Sequence, residues 1–153
     1  MRHDPARTTP VGLSKYAKEF LDCALAADET IGERPGYEII APVPVMYLIG
    51  HAIELSLKAF LSSKNISLSD LASKRYGHDL VKCYDKACEL GLRDLVAFES
   101  GEVEGMRVLN KLYCTKQLNY IVTGEKIFPV FGPIQSFAER LLGVVGPEVG
   151  FQG

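Results

Sequence analysis

At 153 residues the chain is long enough for about one domain, and a compact fold of that size buries roughly 68–70% of the surface of its unfolded chain. With 47% apolar and 24% charged residues it can build a core without metal or disulfide staples, which excludes a disordered chain. The 17 basic and 19 acidic side chains leave a formal charge of −2, which argues against indiscriminate binding to nucleic acid or membrane surfaces.

Met1 to Pro10 carries Arg2, Asp4 and Arg7 and lacks the apolar run of a secretory signal, so no export is expected. From Leu13 the apolar residues Tyr16, Ala17, Phe20, Leu21, Ala24 and Ile31 recur every three or four positions, the stripe of a helix. Ser14 or Thr8–Thr9 can cap it, and Gly32 with Pro35 ends it. Arg34 to Pro44 is a connection. Val45 to Ser63 is apolar almost all round, which places that helix in the middle of a bundle. The longest apolar stretch, Ile39 to Leu61, holds Pro42, Pro44, His51, Glu54 and Lys58, groups costly inside a bilayer, so no membrane span is expected.

Ser67 to Lys74 suits a short helix, which Gly77 breaks. Asp79 to Leu90 restarts a helix with Gly91 just past its end, and Leu92 to Phe98 adds a turn or two. Glu99–Ser100–Gly101 reads as a turn before a fourth main helix, Glu102 to Ile121, with Met106, Leu109, Leu112, Tyr113 and Tyr120 on one arc. Gly124 to Gly132 is a loop anchored by Ile127, Phe128, Val130 and Phe131. Pro133 suits a first helical position, and the stripe Ile134, Phe137, Ala138, Leu141, Leu142 and Val145 is closed by Gly146–Pro147, leaving Glu148 to Gly153 as a frayed tail. No alternating strand pattern occurs. The expected fold is all-α, an antiparallel four-helix up-and-down bundle with an additional C-terminal helix, forming a single domain over 1–153 with its core at about 10–145. Cys23, Cys83, Cys88 and Cys114 lack zinc-knuckle spacing and read as reduced, mostly structural thiols of a cytoplasmic protein; no metal or cofactor is expected.

Two constellations could carry chemistry. Tyr47, His51, Glu54 and Lys58 follow one another at steps of four, three and four residues and share one side of an otherwise apolar helix. The plain reading puts this stripe at the bundle surface, with Glu54 and Lys58 as an ordinary ion pair worth a few tenths of a kcal/mol. The functional reading is that so apolar a helix shows polar groups only where a ligand or partner meets it. The second is Lys74-Arg75-Tyr76-Gly77-His78-Asp79, where a glycine turn leads into a helix N-terminus suited to an anion and able to keep His78 neutral. Here the plain reading is that Asp79 or His78 merely caps the helix. Candidate ligand-binding residues are thus Tyr47, His51, Glu54, Lys58, Lys74, Arg75, His78 and Asp79, and candidate catalytic residues are His51, His78 and Arg75.

Charge is uneven along the chain. Lys58 to Lys86 holds six basic residues against three acidic, and Met106 to Lys126 four against one, whereas the first 57 residues hold five against eight. Side by side, the two basic segments would form a patch for phosphate or an acidic partner. Tyr113, Lys116, Asn119 and Tyr120 could add stacking and hydrogen bonding, although their spacing also fits core packing.

The run His51-Ala-Ile-Glu54-Leu-Ser-Leu-Lys58-Ala-Phe-Leu61, followed by Lys74 and Gly77-His78-Asp79-Leu80, resembles HEPN domains, the helical nucleotide-binding domains of higher eukaryotes and prokaryotes. The resemblance covers roughly residues 10–145. It implies a helical bundle, homodimerisation, and a place in toxin–antitoxin, defence or RNA-related systems, with RNA or a nucleotide as ligand and a nucleotidyltransferase-like protein as partner. The ribonucleases of that family carry an arginine and a histidine with about four to six residues between them. Here Arg2 adjoins His3, sixteen residues separate Arg34 from His51, and two separate Arg75 from His78, so that motif is missing. The sequence therefore favours a binding module over an enzyme. The alternative is a divergent metal-independent ribonuclease with His78 or His51 as general base and Arg75 or Lys58 stabilising the phosphorane.

Overall fold

The computed structural model describes residues 8–119 and 126–153, and among them the chain forms helices and no strand. In chain order these are α1 (Pro10–Ile31), α2 (Val43–Ser63), α3 (Leu68–Ala72), α4 (Leu80–Glu89), α5 (Leu92–Leu95), α6 (Ser100–Tyr113) and α7 (Phe131–Val149). Thr9 starts α1 by accepting a hydrogen bond from the Gly12 amide at 3.0 Å, with Pro10 in the first helical position where no amide is needed. Gly32 ends it.

Helix α2 is the axle of the molecule. It packs against α1, α4, α6 and α7, and fourteen of its residues are buried. It is long and apolar enough to cross a membrane, yet its faces are taken up by other helices. Apolar character all round is what such a position demands. Short connections lead away from it through Asn65 in the left-handed region (φ 70°), then α3, then Gly77 (φ 51°) and the start of α4. Gly91, at φ 105°, separates α4 from α5 as the sequence indicates.

The later helices differ from expectation at their ends. Helix α6 begins at Ser100, inside the expected turn, because the Glu102 carboxylate reaches back to accept the Glu99 amide at 2.8 Å. It stops at Tyr113: the Gln117 amide turns back to the Leu112 carbonyl at 2.9 Å and Lys116 takes φ 60°. Tyr120 and Ile121 lie outside the described residues. Helix α7 starts at Phe131, so Pro133 is third rather than first. Of the expected loop anchors, Phe131 is buried and Phe128 half-buried, but Ile127 and Val130 are exposed. Gly146–Pro147 does not close α7. Pro147 lies inside the helix, where it has no amide hydrogen to give to the preceding turn, yet the helix runs to Val149 before Gly150 (φ 93°) turns the chain. The last residues are not frayed, since the Phe151 amide donates to the Gly146 carbonyl at 2.8 Å.

Candidate functional site

The polar stripe of α2 does not lie on the surface. Glu54 is 3% exposed and Lys58 6%, so their ion pair is a buried one, and the plain surface reading of this helix is wrong. The periodicity that groups Tyr47, His51, Glu54 and Lys58 is right, but their side of the helix faces α6 and the turn before α4. Lys58 Nζ donates to Glu54 Oε2 at 2.9 Å and to the Gly77 carbonyl at 2.6 Å. The left-handed conformation of Gly77 belongs to the turn that presents this carbonyl.

Three more groups converge on the same carboxylate. Tyr113 donates its phenolic hydrogen to Glu54 Oε1 at 2.7 Å. His78 Nδ1 lies 3.0 and 3.2 Å from the two carboxylate oxygens. His51 Nδ1 lies 3.0 Å from the Tyr113 oxygen. Tyr113 reaches Glu54 across Gly50, where a Cβ would stand 2.7 Å from the tyrosine ring. The ring of His51 sits edge-on to Phe20 of α1 at 4.5 Å and nearly parallel to Tyr47 at 6.2 Å.

Proton placement follows from charge. Burial pushes the Glu54 carboxyl upward, but the Lys58 ammonium and the hydrogen bonds from Tyr113, Lys58 and His78 outweigh it and hold it below the usual carboxylate range. Burial, and then the negative charge of Glu54, push the Tyr113 phenol far up, so it keeps its proton. An ionised carboxylate only accepts, and the single phenolic hydrogen goes to it. His51 must therefore donate from Nδ1 to the Tyr113 oxygen, and His78 must donate from Nδ1 to Glu54. In the neutral rings both Nε2 atoms then carry lone pairs. Burial lowers the His51 pKa, against the pull of Glu54, and so favours that neutral state.

Both imidazoles border the same two hollows. One, of about 120 Å³, is lined also by Glu54, Lys58, Leu71 and Gly77. The other, of about 110 Å³, is lined also by Tyr47, Tyr113, Lys116 and Asn119. A larger hollow, about 730 Å³, lies elsewhere, between α1 and the end of α7, walled by Leu21, Leu25, Leu142 and Phe151. The ammonium of Lys18 at that hollow is paired with Asp22 at 2.8 Å. Convergent titratable groups thus mark the smaller pair, not the larger space.

The second constellation is divided by the fold. His78 joins Glu54, but Lys74 and Arg75 are exposed, and the Arg75 guanidinium rests over the Tyr76 ring at 5.8 Å. Asp79 caps α4, accepting from the Lys82 amide at 3.0 Å and from Asn110 Nδ2 at 3.0 Å. The Leu80 amide donates to Asn110 Oδ1 at 2.8 Å. The first amides of α4 are thereby occupied by the protein's own acceptors, which leaves little of the expected anion cradle. Helices α4 and α6, which carry much of the two basic segments, do pack together, with Arg107 of α6 3.5 Å from Asp85 of α4. Among the described residues no group of three histidines, cysteines or carboxylates is placed to hold a metal ion. The four cysteines are unpaired, and burial pushes the Cys83 thiol up to about 12.

Asn110 and Gly50 carry essential parts of this arrangement that the sequence did not single out. A glycine inside a strongly helical run is a signal of close approach, and Gly50 is one. Asn110 offers no such signal. Comparison with known families, with curated proteins and with solved structures finds no match to this chain.

Proposed function

We propose that the chain is a HEPN-like helical module, an antiparallel four-helix up-and-down bundle with an added C-terminal helix, that binds a nucleotide- or RNA-type ligand beside His51 and His78. The observation that carries the ligand reading is the pair of imidazoles anchored on one buried carboxylate and bordering a hollow that also offers Tyr47, Lys116 and Asn119. An aromatic face, a cation and an amide are the groups that take up a base, a phosphate and a base edge. The ribonuclease alternative is the weaker one. Lys58 is already bonded to Glu54 and Gly77, and Arg75 lies outside the cluster, so neither is placed to stabilise a phosphorane. We place the module in the cytoplasm, in a toxin–antitoxin, defence or RNA-related system, with a nucleotidyltransferase-like protein as its partner.

The module acts as a homodimer. Tyr37, Ile39, Ile40, Val43, Ile127 and Val130 are exposed apolar residues, and the Phe131 amide donates to the Ile39 carbonyl at 3.2 Å, bringing the two segments together. Apolar surface of that kind favours self-association. Light scattering at tens of micromolar is expected to give a dimer, and a strict monomer would remove this part. For the ligand, fluorescence anisotropy with a short single-stranded RNA at low salt is expected to show binding. Tyr47→Ala should weaken it about tenfold, because base–aromatic stacking is worth about 1–3 kcal/mol. Identical affinity in wild type, Tyr47→Ala and Lys116→Ala would place the RNA elsewhere.

A further inference from the structure

The anchoring of both histidines through Nδ1 has a chemical consequence for what can sit beside them. We infer that His51 and His78 act as a pair of hydrogen-bond acceptors that read the donor edge of a nucleobase through Nε2, and that phosphate is not the group they recognise. This deepens the ligand-binding reading above and rests on it.

The ground is the direction of the hydrogen bonds. Glu54 is an acceptor on every side: Lys58, Tyr113 and His78 all donate to it. Tyr113 has one hydrogen and spends it on Glu54, so the bond at 3.0 Å from His51 runs from Nδ1–H to the phenolic oxygen. Each neutral ring is left with a lone pair on Nε2 and no hydrogen there. A phosphate oxygen facing such a lone pair is repelled. A base N–H facing it is bound. Guanine presents N1–H and N2–H₂ side by side, two donors for two acceptors.

The surroundings support a neutral His51. The charged groups that face it are Glu54 and Lys58 from α2, which pair at 2.9 Å and offset one another, and Lys116 beyond α6 at the rim of the second hollow. Asp79, next to His78, is engaged by Lys82 and Asn110 at the start of α4. Phe20 of α1 and Leu68 and Leu71 of α3 bring no charge, and Tyr113 of α6 stays protonated. Burial lowers the His51 pKa, which keeps this ring an acceptor at neutral pH.

The test is a sign. Guanosine and, separately, inorganic phosphate are titrated into the protein between about pH 5 and 8, with imidazole nitrogen shifts followed by NMR. Guanosine should bind, more weakly as pH falls, since a protonated Nε2 no longer accepts. The nitrogen shifts of the free protein should show both rings protonated at Nδ1 and bare at Nε2. Tyr113→Phe, which leaves Glu54 with Lys58 and His78, should release the His51 tautomer and weaken guanosine several-fold, the scale of one hydrogen bond. Phosphate binding that tightens with acid, guanosine binding that is unchanged or strengthened by acid, or an Nε2–H tautomer would overturn the inference. RNA binding without guanosine binding would overturn it alone. Absence of both would overturn it together with the binding reading it rests on.

Discussion

Two carboxylates are buried among the described residues, and they do different things. Glu102 of α6 accepts from its own N-cap amide, from Ser136 Oγ at 2.7 Å and from Arg140 of α7, whose guanidinium also reaches the Ala97 carbonyl at 2.7 Å and covers the Phe98 ring at 5.6 Å. The hydrogen bonds of this knot end on backbone or on a neighbouring helix, and it ties α7 to the start of α6. Glu54 is buried to the same degree, but two of the side chains held by its cluster are imidazoles engaged through Nδ1 that border two hollows. A buried carboxylate is therefore not in itself a site. What distinguishes Glu54 is that its cluster includes two imidazoles that border hollows.

The comparison is broken most directly by deleting each carboxylate. Glu54→Leu leaves the Lys58 ammonium buried without its counter-charge and should cost about 3–5 kcal/mol. Glu102→Leu should cost less, about 1–3 kcal/mol, because the Arg140 side chain is 40% exposed and can turn to water. Urea denaturation measures both, and equal losses would mean that the two knots are energetically alike.

A finer test sets one helical glycine against another. Gly50→Ala should destabilise by about 1–3 kcal/mol despite the better helix propensity of alanine, because its Cβ meets the Tyr113 ring. Gly101→Ala in α6 meets nothing within 4 Å and should be neutral or stabilising. Gly77→Val, forced into φ 51°, should cost about 1–2 kcal/mol, seen as a lower denaturation midpoint.

The smallest effect is in the acid response. The folded-state pKa of His51 lies below its ordinary 6.5, so the unfolded chain takes up that proton first and stability falls as pH drops below 6.5. Glu54 and Glu102 are depressed below 4.5, so their contribution is complete above that value and is lost as pH falls further, through their folded-state values. Wild type should therefore lose stability in two stages, and His51→Leu should lose only the lower one. A single stage in both proteins would show that His51 is not held neutral.

Much of the fold was legible because helix periodicity and glycine placement are local. The stripe of α1, the apolar axle α2, and the breaks at Gly77 and Gly91 could all be read from neighbouring residues. The end of α6 could not, since it is set by a turn at Lys116, a residue type that gives no sign of a left-handed conformation. For the site, the grouping of Tyr47, His51, Glu54 and Lys58 was visible, but periodicity states which residues share a face and not what covers it. The cover comes from Tyr113, 59 residues from Glu54, and His78, 24 residues from it.

The bridge made by Asn110 governs how α4 comes into being. Its amide oxygen holds the Leu80 amide while its nitrogen holds Asp79, so one side chain on α6 fixes the first turn of a helix thirty residues earlier in the chain. Neither aspartate nor leucine supplies both an acceptor and a donor at that place. A ten-residue segment is too short to hold a helix alone in water. The opening of α4 is thus a docking event rather than a local one: its first turn is complete only where a helix from later in the chain lies against it.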